Sequence, residues 1–390
     1  MSQKREIVIS LTGKNSHKAM IPFGQGSLSI GTKELSKGKY DIWVEKDDQI
    51  DWEAFDKLFT GYGQQYKEKY PYGDWPRFFY YSGNDIGFIK WSEKRKIEEF
   101  HWITHSHLNV DLKNSNIARL FIHVENNKIE LSIGEQTSFL ALSGHLENIS
   151  IKECQKIPIL SFTIENSDIN KYYQIPFYQQ LEKATCLKIN NSPQNQPFNC
   201  ECLLQYPYLK TIELMGNMIH LQSLSKLKNL EYIALRYIPD LHDMPNLSNF
   251  KNLKTFIGYN IEEEAGKSLR KQLKKISQKK EMDYTSITHL RKKIWFMSEY
   301  GIPFSGWEEK NAKIATKAYK KCFHEIKKSK TEDNIKKSIA DFIQMINHLD
   351  NIETTEREDM SIAIQQLIES STIEISQEKW QQWFDEYRYF

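Results

Sequence analysis

Short alternations of apolar and polar residues return along the chain at a nearly constant interval. Leu209, Ile212 and Leu214 form an apolar-x-x-apolar-x-apolar block, and equivalent blocks begin at Leu230 and Leu253, 21 and then 23 residues further on. Side chains alternate across a strand, so each block predicts a short strand with one buried face. A repeat of this length and pattern is typical of leucine-rich solenoids, in which neighbouring repeats stack to close a common core.

The same alternation continues upstream in a looser form. A further copy, with Leu187 and Ile189, lies 25 residues before the Ile212 pair of the first block, and two series of apolar pairs precede that copy. One series is Leu120/Ile122, Leu140/Leu142 and Leu160/Phe162, and the other is Val110/Leu112, Ile129/Leu131 and Ile149/Ile151. We therefore expect two short strands in each early coil, and one strand with a helical or irregular return in each later coil. Asn217 stands where a leucine-rich repeat carries its inward-facing Asn.

Residues 1–100 differ from the repeats. Ile7–Leu11 and Tyr40–Val44 are rich in β-branched and aromatic residues and predict strands. The aromatic spacing of Asp51–Phe59 predicts a helix. A Tyr-rich segment from Tyr62 to Tyr81 follows. It is interpreted as a cap on the first coil, with a binding surface as the alternative.

The carboxy-terminal part of the sequence predicts helices. Glu262–Lys280 has an apolar face, and four further helices are expected up to the carboxyl end, several of them behind a Ser or Thr cap. The predicted fold is α+β, an irregular β-solenoid passing into leucine-rich repeats, with a strand-rich cap module before it and an all-α module after it. The predicted domains are residues 1–100, 101–261, 262–300 and 301–390.

Composition limits the class of protein. The 390 residues carry a formal net charge of +2, so charge gives no reason to expect nucleic acid or a membrane as partner. Five cysteines, an odd number, favour reduced thiols over a disulfide framework. The sequence lacks an apolar run of about 18 residues and a recognisable leader. We therefore expect a cytoplasmic protein.

Motifs for catalysis or metal binding are weakly represented. His101, His105 and His107 form the densest group of potential ligands, but no Cys or carboxylate follows at a suitable spacing. An ordinary strand edge is the preferred interpretation. Neither a phosphate-binding loop nor a nucleophile motif is present, so the sequence predicts no catalytic residue, no metal and no cofactor.

The outward residues of the predicted strands form the candidate binding surface. They alternate with the buried residues and would point to the concave side of a solenoid. Tyr and Arg are enriched at binding hot spots, and Met is common in interfaces. The predicted partner-binding residues on this surface are Lys188, Asn190, Thr211, Glu213, Met215, Tyr232, Arg236, Thr255 and Tyr259. Earlier coils add the pairs Phe121/His123, Ala141/Ser143 and Ser161/Thr163.

An acidic surface is the competing candidate. Residues 267–330 contain 18 Lys and Arg against 6 Asp and Glu, whereas residues 331–390 contain 5 against 13. The two segments are interpreted as helix faces that attract each other, with an acidic docking surface as the alternative. That surface would contain Glu353, Glu356, Glu358 and Asp359.

Three segments resemble a known family. They are Phe250–Lys267, Ile302–Trp307 and Ile352–Asp359. Over about residues 105–370 the chain resembles bacterial leucine-rich proteins of polymorphic toxin loci, often labelled gliding motility proteins. The resemblance implies an immunity protein that binds a cognate toxin domain and occludes it without chemistry of its own. The alternatives are an adaptor that joins two cytoplasmic proteins and, from a third class, a hydrolase.

Overall fold

The computed structural model describes residues 4–9, 12, 16–22, 27–32, 40–57, 78–165, 171–292, 295–296, 304, 307–349, 352 and 354–389. The chain divides into two compact units, Met1–Leu290 and Arg291–Phe390. Each unit has a separate hydrophobic core.

A twelve-stranded sheet, in which every neighbouring pair is parallel, forms most of the first unit. In the order of the chain its strands are β3 (Ser27–Gly31), β4 (Ile42–Trp43), β5 (Phe78–Ser82), β6 (Ile97–Thr104), β8 (Ile117–Val124), β10 (Phe139–Gly144), β12 (Ile159–Thr163), β13 (Cys186–Asn190), β15 (Thr211–Met215), β17 (Tyr232–Arg236), β18 (Thr255–Tyr259) and β19 (Tyr284–Thr288). β4 and β19 are its two edges, so the sheet is open within the described part of the chain.

The strands predicted from the repeating blocks are confirmed. Leu120, Leu140, Leu160, Leu187 and Ile212 are all fully buried and lie next to one another across the sheet. These side chains all lie on the same inward side of the sheet, because the register keeps equivalent positions of successive repeats opposite one another. The repeats therefore bury one continuous apolar layer.

The early repeats carry a second strand, as predicted. β7 (Leu108–Leu112), β9 (Ile129–Ile133) and β11 (Ile149–Cys154) form a separate parallel sheet of three strands. In the later repeats the connections contain short 3₁₀ helices, at Cys200–Gln205, Leu221–Lys226 and Leu247–Asn249, and a small sheet of β14 (Phe198–Asn199) and β16 (Met218–Ile219). Asn217 is partly buried, and its amide donates to the Asn195 carbonyl at 3.0 Å.

The amino-terminal strands join the same sheet. β5 pairs with β6, so the sheet runs without a break across residue 100, where the sequence placed a boundary. β1 (Lys4–Ile9) and β2 (His17–Pro22) form a separate antiparallel pair. The helix predicted from Asp51 is a 3₁₀ helix at Trp52–Lys57, and residues 58–77, with most of the Tyr-rich segment, lie outside the described residues.

An aromatic cluster fixes this end of the sheet to its connections. The Trp52 ring lies 5.2–6.1 Å from the rings of Phe79, Phe88, Trp91 and Phe100 and of the intervening Tyr81. A helix, α1 (Gly87–Ser92), supplies Phe88 and Trp91 to it. Aromatic pairs at these distances stabilise a core beyond the area that they bury.

The first unit ends with a helix and a strand. α2 (Glu263–Ser277) matches the predicted helix, and its Leu269 and Leu273 are buried. Glu262 caps it by accepting the backbone N–H groups of Glu264 and Ala265. β19 was not predicted from the sequence, because only Ile287 of its five residues is buried and no alternation marks it.

The second unit is helical, as predicted. The helices whose bounds lie within its described residues are α3 (Glu309–Lys328), α4 (Glu332–Asn347), α5 (Thr354–Glu369) and α6 (Gln377–Tyr387). Their apolar stripes, including Trp380, Trp383 and Phe384 of α6, meet in one core. Thr331 accepts the N–H of Asn334 and caps α4.

Within the described residues, no helix combines the length and the apolar character needed to cross a bilayer. All five cysteines are free thiols. Burial raises the pKa of Cys154, Cys186 and Cys202 to about 11.

Candidate binding site

The outer face of the twelve-stranded sheet carries a regular grid of side chains. In each strand the residues that alternate with the buried apolar ones are mostly partly exposed. Because all strands are parallel and in register, these residues form rows that cross the sheet. The middle row runs, in order, through Tyr80, His101, Phe121, Ala141, Ser161, Lys188, Glu213, Ala234, Ile257 and Ser286.

Three rings of the middle row form a stack. The Tyr80 and His101 ring centroids are 4.5 Å apart, and those of His101 and Phe121 are 4.0 Å apart with an angle of 12° between the ring planes. The spacing is close to that of neighbouring strands, so the strand ladder holds the rings face to face. Tyr80 is 40% exposed, and the stack therefore borders solvent.

An ionic group lies beside the stack. Glu99 is 8% exposed, and its carboxylate is hydrogen-bonded to His101 Nε2 at 2.5 Å and paired with Arg119 Nη1 at 2.8 Å. The Arg119 guanidinium also lies over the rings of Phe121 and Phe139, 5.6 and 5.0 Å from their centroids. A nearly buried carboxylate requires such partners, since burial of an unpaired charge is costly. The pairing also fixes the orientation of the His101 ring.

A cleft of about 710 Å³ opens over this part of the face. The volume is within the range of ligand-binding clefts, about 300–1,000 Å³. It extends from β3 to β13. Its lining residues are Ser27, Ser29, Tyr40, Asp41, Tyr80, Tyr81, His101, Trp102, Ile103, Phe121, Ile122, His123, Ala141, Leu142, Ser143, Ser161, Thr163 and Asn190.

Polar groups collect at the carboxyl ends of the strands in the cleft. His123 Nδ1 is 2.9 Å from Ser143 Oγ and 3.6 Å from a Glu165 oxygen, and its Nε2 is 3.9 Å from Glu125. Asn190 donates to Ser161 Oγ at 3.1 Å. Ser143 and the nearer carboxylate approach the same ring nitrogen, whereas a Ser-His-acid triad needs them on opposite nitrogens. The arrangement is suited to hydrogen bonding with a ligand.

The three histidines considered as metal ligands have other partners. His101 is bonded to Glu99, His105 Nε2 lies 2.9 Å from Ser82 Oγ, and His107 Nδ1 accepts the N–H of Lys128. Burial lowers the pKa of His105, and the neighbouring charge of Lys46 acts in the same direction. In the part of the chain that the structure describes, no group of three or more His, Cys, Asp or Glu could hold a metal ion.

The predicted binding residues of the later repeats lie on the same face. Lys188 and Glu213 form an ion pair at 2.9 Å in the middle row. Thr211, Tyr232 and Thr255 form a second row, and Asn190, Met215, Arg236 and Tyr259 form a third. Ala234 alternates with the buried residues of β17 and so belongs to the outer set, but it is 0% exposed. Its methyl group is short and lies between the larger residues Glu213 and Ile257 of the same row.

The acidic candidates belong to the second unit. Glu358 is exposed, and Glu356 is partly exposed. Asp359 accepts the indole N–H of Trp307 at 2.9 Å, and burial raises its pKa. Asp359 therefore stabilises the core of the second unit through this hydrogen bond, in addition to contributing charge. Glu353 lies outside the described residues.

The predicted binding residues did not include Tyr80, His101, Glu99 or Asp41. The first two could have been predicted from the sequence. His101, Phe121, Ala141 and Ser161 follow one another at intervals of 20 residues, and Tyr80 precedes His101 by 21. That interval places them in one row once the strands are parallel. Asp41 lines the cleft from the beginning of β4, the strand next to β3, and no repeat in the sequence marks that position.

The chain was compared with protein families, with curated proteins and with solved structures. No family model, curated protein or solved structure matches it.

Proposed function

We propose that this chain is a non-enzymatic binding protein of the leucine-rich solenoid class, and that it neutralises a bacterial toxin domain by covering it. The observation that carries the proposal is the outer face of the parallel sheet. It presents aromatic, ionic and amide side chains in fixed rows across the repeats. Such a surface is extended and rigid, which favours a folded protein as partner.

The repeats of 20 to 25 residues support the finer classification. An irregular β-solenoid would account for the early repeats, in which two strands alternate, and leucine-rich repeats for the later ones. The sequence resemblance to leucine-rich proteins of toxin loci supports the immunity role. In this proposal the protein acts in the cytoplasm, where its free thiols would remain reduced.

Affinity is proposed to reside in Tyr232, Arg236 and Tyr259. They lie on β17 and β18, and Arg236 is directly opposite Tyr259 in the register. Truncation of a central aromatic or Arg anchor costs about 2 kcal/mol or more, roughly a thirtyfold loss of affinity. All three are partly exposed on the outer face, so their removal should leave the melting temperature nearly unchanged.

The test uses co-expression with the product of the neighbouring gene and affinity measurement on the purified pair. The wild-type chain should abolish toxicity, and the Tyr232→Ala, Arg236→Ala, Tyr259→Ala variant should lose at least thirtyfold in affinity. The matched control is Tyr208→Ala with Lys226→Ala, an exposed aromatic residue and an exposed cation that lie off the sheet strands. Persistent toxicity with the wild-type chain would reject the immunity role.

An adaptor is the second candidate, and the division into two units favours it. Each unit has a core of its own, so each offers a surface to a separate partner. Charge reversal at Glu356 and Glu358 in the full chain should then release one partner, and the triple variant the other. Asp359 is left intact because of its bond to Trp307. Loss of a single shared partner in both variants would exclude the adaptor.

A further inference from the structure

The aromatic stack on the outer face stops abruptly. Tyr80, His101 and Phe121 occupy successive positions of the middle row, and the next two positions are Ala141 and Ser161. The Phe121 ring is nearly parallel to that of His101, which covers one of its faces. Its other face is directed along the row toward β10. The Phe139 ring, 5.1 Å away and inclined by 35°, and the Arg119 guanidinium cover part of that face, and the part beside Ala141 borders the cleft.

The space above Ala141 and Ser161 belongs to the cleft. Neighbouring strands lie about 4.8 Å apart, and three such spacings separate β8 from β13. Phe121 and Lys188 are therefore about 14 Å apart along the row, with only Ala141 and Ser161 between them. Phe139 closes part of one side, since its ring centroid is 5.1 Å from that of Phe121. The side toward the strand ends is polar and contains His123, Ser143, Thr163 and Asn190.

Charge restricts what this space accepts. Of the described residues that line the cleft, none is Lys or Arg. Asp41 lies at the β3 end of the cleft, four strands from β10, and its carboxylate accepts the backbone N–H and the hydroxyl of Ser29. The carboxylates of Glu165 and Glu125 lie 3.6 and 3.9 Å from the ring nitrogens of His123. Two cations that flank this part of the row are engaged, because Arg119 is paired with Glu99 and Lys188 with Glu213. Glu165 and Glu125 would repel an anionic group in this space, whereas they would not repel a neutral or cationic group.

We propose that the cleft binds a planar aromatic ring, neutral or cationic, which lies over Ala141 and continues the stack from Phe121. The polar groups at the strand ends would bond to substituents of the ring or to the backbone that carries it. The ring is assigned to a Trp or Tyr side chain of a protein partner, and this assignment rests on the proposed function. The size of the cleft, larger than one side chain, allows the loop that carries the ring to enter with it.

The ring site can be tested without the partner. N-acetyltryptophanamide and N-acetyltyrosinamide serve as neutral probes, with tryptamine as the cationic and indole-3-acetate as the anionic probe. Binding to the full chain is followed by saturation-transfer NMR. The neutral and cationic probes should bind, N-acetylleucinamide should give no comparable signal, and indole-3-acetate should bind at least tenfold more weakly. Equal binding of leucine and tryptophan amides would overturn the proposal.

Two variants, Ala141→Phe and Phe121→Leu, locate the ring, and Ile257→Phe is the control. Ala141→Phe fills the position with the chain's own ring, so it should abolish probe binding without lowering the melting temperature. Ile257→Phe adds the same ring in the same row at β18 and should leave binding unchanged. Phe121→Leu removes the stacking surface but retains most of the volume, and it should weaken binding at least tenfold. Unchanged probe binding by the Ala141 and Phe121 variants would refute the site.

The outcomes separate this inference from the proposed function. Probe binding that Ala141→Phe abolishes supports the ring site even when no toxin is neutralised. Toxin neutralisation that survives Ala141→Phe, together with absent probe binding, rejects the ring site and leaves the proposed function intact.

Discussion

Asn191 joins successive repeats of the large sheet, and its replacement by Ala tests how the repeats are held together. The side chain is 4% exposed. Its amide group donates to the carbonyls of Gln196 and Asn217, both at 3.0 Å, and its oxygen accepts the N–H of Ser192 at 2.9 Å. One side chain therefore satisfies three backbone groups in two repeats.

The magnitude follows from these bonds. A net contribution of about 1 kcal/mol for each hydrogen bond gives about 3 kcal/mol for Asn191→Ala. The Asn217 carbonyl keeps another partner, because it also accepts the N–H of Phe198 at 3.0 Å. The Gln196 carbonyl loses its hydrogen bond from the Asn191 amide. Because Gln196 is only 7% exposed, its carbonyl stays desolvated, and the free-energy cost of the lost bond is not reduced.

Hydrogen exchange read by mass spectrometry measures the effect in the first unit alone. A loss of about 3 kcal/mol corresponds to a rise of roughly a hundredfold in the exchange rate of the slow amides of β13 and β15. Asn252→Ala is the matched control, since that Asn is exposed and makes one bond, to the Lys228 carbonyl at 3.1 Å. Its effect should stay within about 0.5 kcal/mol. If both variants exchange equally fast, the side-chain bonds of Asn191 do not hold the repeats.

Two further predictions concern backbone geometry and pH. Gly216 has φ of +94°, and a Cβ atom there would lie 2.2 Å from the Asn191 carbonyl oxygen, so Gly216→Ala should lower the unfolding free energy by about 3 kcal/mol in urea titration. An unchanged urea midpoint would contradict this geometry. Burial lowers the pKa of His105 below its ordinary value of 6.5, so the unfolded chain binds the proton more strongly and stability decreases as the pH falls below that value. His105→Gln should make stability less dependent on pH in this range, and an unaltered pH profile of the melting temperature would refute the assignment.

The repeats made the strands of the large sheet predictable. Each block alternates apolar and polar residues, and only one side of such a strand can face the core, so the period fixed which residues are buried. The helices of the second unit were predictable for the same reason, since apolar residues return at helical spacing and Thr331 marks the start of α4. Alternation alone also predicted the outward set of residues on β13 to β18, except that Ala234 is buried.

Tertiary structure decided the rest, because it depends on contacts between residues far apart in the chain. β19 carries no alternation and is a strand only because β18 supplies its hydrogen-bond partner. The burial of Ala234 depends on the size of its neighbours across the sheet, and the alignment of the three rings in the aromatic stack depends on register. The cleft lies where the large rings of the middle row are followed by the small residues Ala141 and Ser161. Asp41 also lines the cleft, from a strand end outside the repeats. A pattern along one strand identifies the side on which a residue lies, but packing between strands determines what that residue contacts.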